Sequence, residues 1–355
     1  MTTFDPVKIL SGLIDIKSLS KEEEPAAVYI ENILIQHKVQ FTRDKNNVWT
    51  KNKHFQEGKY TILLNSHLDT VKPNKGYTKE PYKSIIEDGK LFGLGSNDAG
   101  GALITLLGTF LHFFEKKNLP FNLIFAASAE EEISGKNGME YLFPKLPKID
   151  FGIVGEPTLL DISISERGLM VLDCKAIGNS GHAARKEGVN AISKAIEDIN
   201  WFNTYEFPKH SPETGGIGMS VTVIKAGSQH NVIPAECDFV VDVRVNDKYS
   251  NEEVLDIIKS NVSCQVTARS TRLNSSGVNE THPIKKVAKN LNINTYGSPT
   301  LSDQALMPCE SVKMGPGDSA RSHTADEFIY VDELNQAIPK YINVLNNLGE
   351  TLTVS

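Results

Sequence analysis

The feature that most constrains this chain is a repeated pattern in its first half: apolar runs of strand length that each stop at a histidine or a carboxylate. TILLNSHLD ends on His67 and Asp69, LIFAASAEEE on Glu131 and Glu132, and DFGIVGEP on Glu156, while ALITLLGTFLHFF between the first two reads as a helix. Apolar runs alternating with helices are the rhythm of βα units in a mostly parallel sheet with helices on its faces. In open sheets of this kind ligands gather beyond the carboxyl ends of the strands. Five unrelated surface residues would rarely share that address.

From Ile162 the pattern changes to strand, helix, strand, strand, helix, strand, with ISISERGLMVLDCKAIG as the first strand and SCQVTARST as the last. This β-α-β-β-α-β order is the ferredoxin-like signature. At 355 residues the chain exceeds the roughly 250–300 at which single cores stop growing, so two domains are expected. The expected fold class is therefore α/β, a mostly parallel-sheet domain with helices on both faces formed by residues 1–163 and 273–355, interrupted by a ferredoxin-like α+β domain at 164–272. Helices are expected at 4–16, 20–37, 281–291 and 331–348, with a short strand at 311–314. Ser20 and Glu23 stand at the N-cap and capping-box spacing, so Lys21-Glu22-Glu23-Glu24 reads as a solvated helix start.

Composition narrows the function classes. A net charge of −7 and a pI near 5.8 argue against nucleic acid, which requires a basic stripe. No window approaches the roughly 20 apolar residues that span a bilayer, so no membrane partner is expected. Asp5, Lys8 and Asp15 interrupt the N-terminal apolar stretch, which therefore differs from a signal peptide. Cys174, Cys237, Cys264 and Cys309 lie far apart with no CxxC pair, so free thiols in a reducing cytoplasm are expected.

The residue types at the strand ends suit metal chemistry. Residues two apart on a strand face one side, so Asp69 can receive one ring N–H of His67 while the other ring nitrogen binds a metal. Asp98, in GLGSNDAGG, stands near the start of the next helix, where an N-cap is the plain alternative. Glu130-Glu131-Glu132 repel one another unless cations are bound, with a solvated turn as the alternative. Glu156 in GEPT and His323 in RSHTADEF complete a set of His, Asp, Glu, Glu and His, an N/O donor set suited to zinc or cobalt.

SHLDTV (66–71), GLGSNDAGGA (93–102), SAEEEISG (128–135), GEPT (155–158), GNSGHAAR (178–185), HNVIPAECD (230–238) and GPGDSARSHTADEFI (315–329) follow one another in the order of a known family. Through them the chain resembles the zinc-dependent metallopeptidases of the M20 class, which include acetylornithine deacetylases, succinyl-diaminopimelate desuccinylases and aminoacylases. The resemblance implies two Zn2+ ions, with Co2+ able to substitute. His67 and Glu156 would hold one ion, Glu132 and His323 the other, and Asp98 would bridge them. Glu131 would be the general base and Asp69 would orient His67; a register shifted by one would instead make Glu130 the base and Glu131 the ligand. A cis peptide between Asp98 and Ala99 is also implied.

In the inserted domain the resemblance implies a lid that pairs two subunits, with His182 stabilising the oxyanion in the partner's site. Asn231 and Arg244 would hold the substrate, although Arg244 could instead be a sheet charge paired with an acid. Gly315 would leave backbone space for substrate. The implied substrate is an N-acyl amino acid, in a reaction most similar to acetylornithine deacetylation in arginine biosynthesis. Succinyl-diaminopimelate desuccinylation, N-acyl-citrulline deacylation and dipeptide hydrolysis are the alternatives. A GxGxxG dinucleotide loop, a P-loop and a GxSxG serine elbow are all missing from the sequence. A non-catalytic relative would lack the base or a ligand, and all of them are present.

Overall fold

The computed structural model describes residues 4–185 and 187–354. The chain divides into two units: one comprises the residues up to Ile164, Gly277–Tyr296 and the residues from Ser302, the other Ser165–Ser276 and Gly297–Leu301.

The first unit is built on a mixed sheet whose middle is parallel. Asn122–Ser128, Thr61–His67, Phe151–Val154 and Glu310–Lys313 lie side by side in that order, all running the same way. Asn47–Lys51 joins antiparallel at one side. On the other, Ser163 of Ile162–Glu166 pairs antiparallel with Lys313. Thr61–His67 and Asn122–Ser128 are buried at every position, which is why they read as unbroken apolar runs: central parallel strands are covered on both faces. Ile62, Leu64, Leu123 and Phe125 point to a layer formed by helices Pro6–Ile14, Glu24–Gln36, Gly101–Phe114, Pro283–Asn290 and Val331–Val354. Leu63, Ile124 and Ala126 point the opposite way, onto a thinner layer around Met139 and Leu142. Register then sets the site. His67 lies level with Ser128, and Asn65 with Val154, which is itself level with Lys313, so the strand ends that lead to Glu131, Glu156 and Gly315 emerge at one edge.

The second unit is a four-stranded antiparallel sheet ordered Gly218–Ala226, Glu236–Val245, Gly168–Ile177, Gln265–Ala268. Helices Ala191–Thr204 and Asn251–Asn261 accompany it, giving the chain order β-α-β-β-α-β. Met170, Leu172, Cys174 and Ala176 alternate inward and meet Phe239, Val241, Val243 and Val245 in a separate core. Ser250 and Glu253 form a capping box on the second helix.

Several expectations change. The strand expected to run through Arg167 is two strands, Ile162–Glu166 and Gly168–Ile177, and the last helix continues to Val354. The helix expected from residue 20 begins at Glu24, because Pro25 suits only the first turn. Ser20 does not cap it; its hydroxyl donates to Asp69 Oδ2 at 2.6 Å. Glu23 is fully buried rather than solvated, and accepts from Lys21 N at 2.6 Å, Asn46 Nδ2 at 2.7 Å and Glu130 N at 3.1 Å. All four cysteines are free thiols. No described helix is long and apolar enough to cross a membrane.

Candidate metal centre

His67 closes its strand with the imidazole buried. Its Nδ1 lies 2.8 Å from the carbonyl oxygen of Asp69, which can only accept, so Nδ1 carries the proton. Asp69 Oδ1 is farther, at 3.6 Å. The expected carboxylate partner of the ring is thus joined, at closer range, by the same residue's backbone. Once Nε2 gives up its own proton it offers an in-plane lone pair, the form that binds metals. That atom and Glu156 Oε1 are buried and have no hydrogen-bond partner among the described residues.

The Asp69 carboxylate has a second task. Oδ1 accepts the backbone N–H of Glu131 at 3.0 Å, while Oδ2 accepts that of Glu132 at 3.1 Å together with the Ser20 hydroxyl. This anchors the turn after Asn122–Ser128. Glu130 begins that turn in the left-handed region, at φ 56°, and its carboxylate is engaged by Asn137, through Nδ2 at 2.7 Å and N at 3.2 Å. Glu130 therefore faces away, and Glu131 and Glu132 face His67 and His323. A Cβ on Gly138 would fall 1.9 Å from the Ala129 carbonyl oxygen, so only glycine lets the chain pass beneath the turn.

Asp98 sits in the tight turn Ser96–Gly100 that leads into helix Gly101–Phe114, and its peptide bond to Ala99 is cis. It does not cap that helix. Glu327 Oε1 accepts the N–H groups of Asn97 and Asp98, at 2.8 and 2.9 Å, and Oε2 that of Gly95 at 3.1 Å. His323, at φ 59°, enters from the loop after Glu310–Lys313.

These elements bring the five expected ligands together. His67 Nε2 is 3.4 Å from Asp98 Oδ1 and 4.0 Å from both Glu131 Oε2 and Glu156 Oε1. His323 Nε2 is 3.0 Å from Glu132 Oε2 and 3.6 Å from Asp98 Oδ2. Donors about 2.0–2.1 Å from a tetrahedral zinc lie roughly 3.3 Å from one another, close to several of these separations. The ligand atoms of His67, Glu131 and Glu156 lie within 4.8 Å of one another, and so do those of His67, Asp98 and Glu132. Glu131 therefore stands as near His67 as Glu156 does.

Charge is unbalanced in the same place. Burial, reinforced by Asp98, pushes the Glu156 carboxyl up to about 8. Burial also raises Glu131 well above the carboxylate range, with Glu156 and Asp303 adding to the effect, and raises Glu132. Burial would raise Asp98 too, but His67 alongside holds it low. The hydrogen bond to Glu132 lifts His323 to about 9. Four carboxylates around two imidazoles lack positive charge, which a pair of cations would supply.

The remaining expected residues are placed differently. His182 is exposed on the short strand Gly181–His182, paired with Val232–Ile233, and Ala183 N donates to the carbonyl of Asn231 at 3.1 Å, so His182 and Asn231 share one corner of the second unit. Arg244 lies on the sheet, its Nε and Nη2 held by Asp242 at 2.8 and 3.1 Å. The alternative of an acid-paired sheet arginine is thus realised at the Nε–Nη2 edge of the guanidinium. Gly315 does not open space: a Cβ there would fall 2.4 Å from the Glu156 carbonyl oxygen and 3.0 Å from Ala102 Cβ. The absence of a side chain lets the strand end pack on the Glu156 loop.

Sequence reading missed three buried carboxylates, Glu23, Glu327 and Asp303. Asp303 accepts from Asn65 Nδ2 at 2.9 Å and Ser128 Oγ at 2.6 Å behind the strand ends, where burial pushes it up to about 6. Each lies in a polar stretch that reads as a surface turn, and no local signal marks it as interior.

Residues 63–347 match the model of peptidase family M20/M25/M40. Among curated proteins, the chain is 28% identical over 358 residues to the [LysW]-lysine/[LysW]-ornithine hydrolase of Sulfurisphaera tokodaii, covering 96% of this chain and 95% of that one. It is 27% identical over 383 residues to a succinyl-diaminopimelate desuccinylase of Rickettsia bellii, covering 98% and 96%. Among solved structures, aminopeptidase PepT of Bacillus cereus superposes with a TM-score of 0.78 at 18% identity, over 97% of this chain and 98% of that one. The YXEP protein of Bacillus subtilis, a dinuclear metal-binding peptidase from the M20 family, superposes at 0.74 with 17% identity, over 99% and 98%. These two share the fold.

Proposed function

The chain belongs to peptidase family M20/M25/M40 and is a hydrolase of that family, and from this premise we propose that it removes an N-acyl group from a diamino acid with two metal ions, most simply zinc. The observation that carries the reading is the convergence of His67, Asp98, Glu132, Glu156 and His323, with His67 Nε2 and Glu156 Oε1 buried and unpartnered at its centre. His67 and Glu156 would hold one ion, Glu132 and His323 the other, and Asp98 would be shared between them. A bound pair of this kind lowers the pKa of a shared water and polarises a carbonyl.

The chain's own groups do the rest. Glu131, held by its N–H to Asp69 and faced by Glu156, takes the proton of the attacking water and returns it to the departing amine. Burial raises its carboxyl, which favours carrying that proton near neutral pH. In the second unit, Arg244 would grip the α-carboxylate through its free edge and Asn231 would orient the substrate. His182 would donate to the oxyanion of the tetrahedral intermediate. The two curated relatives are named for lysine, ornithine and diaminopimelate, all diamino acids. This supports an ornithine-like leaving group, and N-acetylornithine is the proposed substrate, as in arginine biosynthesis. The experiment is hydrolysis by the zinc-loaded protein of N-acetyl and N-succinyl derivatives of ornithine, citrulline and diaminopimelate, with dipeptides alongside. Acetylornithine should give the highest kcat/KM. A preference for N-succinyl compounds would move the reading to a desuccinylase, which the Rickettsia bellii relative favours. Dipeptide turnover alone would contradict deacylation.

A further inference from the structure

Two of the segments that build the centre arrive from distant parts of the chain: the turn carrying Asp98 and the loop carrying His323. They are fastened to each other by backbone and side-chain bonds that leave both candidate ligands free. Glu327, four residues beyond His323 and almost fully buried, accepts N–H groups from Gly95, Asn97 and Asp98. Its backbone carbonyl also accepts from Gly93 N at 2.9 Å. On the other side of the turn, Asn97 and Asp318 exchange reciprocal bonds: Asn97 Nδ2 donates to the Asp318 carbonyl at 3.0 Å, and Asp318 N donates to Asn97 Oδ1 at 3.0 Å. His323 therefore lies between two attachment points, Asp318 and Glu327, both on the Asp98 turn. The Asp98 Oδ2 to His323 Nε2 separation of 3.6 Å is spanned by this frame.

We infer that Glu327 is a positioning residue for the ion held by Glu132 and His323, setting the distance between Asp98 and His323 without touching the ion. The inference rests on the metal-centre reading given above. The geometry makes the dependence unequal. His67 is fixed by its strand and by Asp69, and Glu156 by a loop packed on Gly315, so the two unshared ligands of that ion are held independently of Glu327 and only the shared Asp98 depends on it. The other half needs the Asp98 turn and the His323 loop in register. Three N–H groups converging on two carboxylate oxygens also explain why a carboxylate stands there. A glutamine would keep two of these bonds through its oxygen but turn an amide N–H toward Gly95 N, a donor facing a donor.

The test is a zinc titration of metal-free protein followed by calorimetry, for the unaltered chain, Glu327→Gln, Glu327→Asp and a neighbouring control, Asp326→Asn. Asp326 holds Thr78 and Lys79 and makes no bond to the Asp98 turn. The unaltered chain and the control should each bind two ions alike. Glu327→Gln should keep the first ion and bind the second about 10–100-fold more weakly, the usual loss when a ligand's hydrogen-bonded support is removed. Glu327→Asp, which keeps the carboxyl group but falls short of the turn, should show the same selective loss, and it decides the matter if the glutamine variant does not fold. Loss of stability without a change in the ratio of the two affinities would make Glu327 merely structural and overturn the inference, as would two ions bound within about twofold of the unaltered chain. If the unaltered chain binds no zinc, the metal-centre reading falls and takes this one with it.

Discussion

At the scale of single residues, three adjacent glutamates face different ways because the backbone turns between them. Glu130, in the left-handed region, gives its carboxylate to Asn137, while Glu131 and Glu132 are hung from the Asp69 carboxylate by their N–H groups. Glu131→Gln should therefore bind two ions as the unaltered protein does, yet lose about 10²–10⁴-fold in kcat, the range for a general base. Metal analysis beside steady-state kinetics checks it, and a variant that loses an ion would make Glu131 a ligand, as its 4.0 Å approach to His67 allows. The residue types at the strand ends were legible from sequence because each follows an apolar run. The carboxylates that hold them were not. Glu23 matched a helix-capping pattern, yet it is buried beneath the Glu130 turn, where Asn46 and Glu130, 23 and 107 positions away, join Lys21 as its partners.

At the scale of elements, the parallel strands were readable because burial on both faces removes polar residues from them, and their register alone aligns the ends that carry the site. Boundaries were less legible. Arg167 interrupts what reads as one long strand, and Pro25 rather than Ser20 decides where a helix starts. Close approach is also invisible in sequence: Gly138 and Gly315 are needed for the carbonyl oxygens of Ala129 and Glu156 that pass them. Gly138→Ala should push the Glu131–Glu132 turn off Asp69, lowering the melting temperature and weakening metal binding together. Thermal unfolding with and without zinc measures both. Unchanged metal affinity in a destabilised protein would separate the turn from the centre.

At the scale of the whole molecule, the second unit folds around its own core and carries His182, Asn231 and Arg244. Its exposed edge strand Gly218–Ala226, with Val223 and Ile224 open to solvent, needs cover, and the proposed arrangement is a two-fold dimer in which His182 serves the partner's site. Mixing His182→Ala with Glu131→Gln protein should then restore partial activity, because a mixed dimer has one site with both groups and one with neither. A mixture that stays inactive while subunits exchange would assign His182 to its own subunit or to no site. Whether Asp98, Glu132 and Glu156 with the imidazoles of His67 and His323 hold a pair of cations is tested by metal stoichiometry of the intact chain. The chain should bind two ions, with amide hydrolysis abolished by a chelator and restored by zinc. A folded chain that takes up no metal and hydrolyses N-acyl amino acids equally well in the chelator would contradict it.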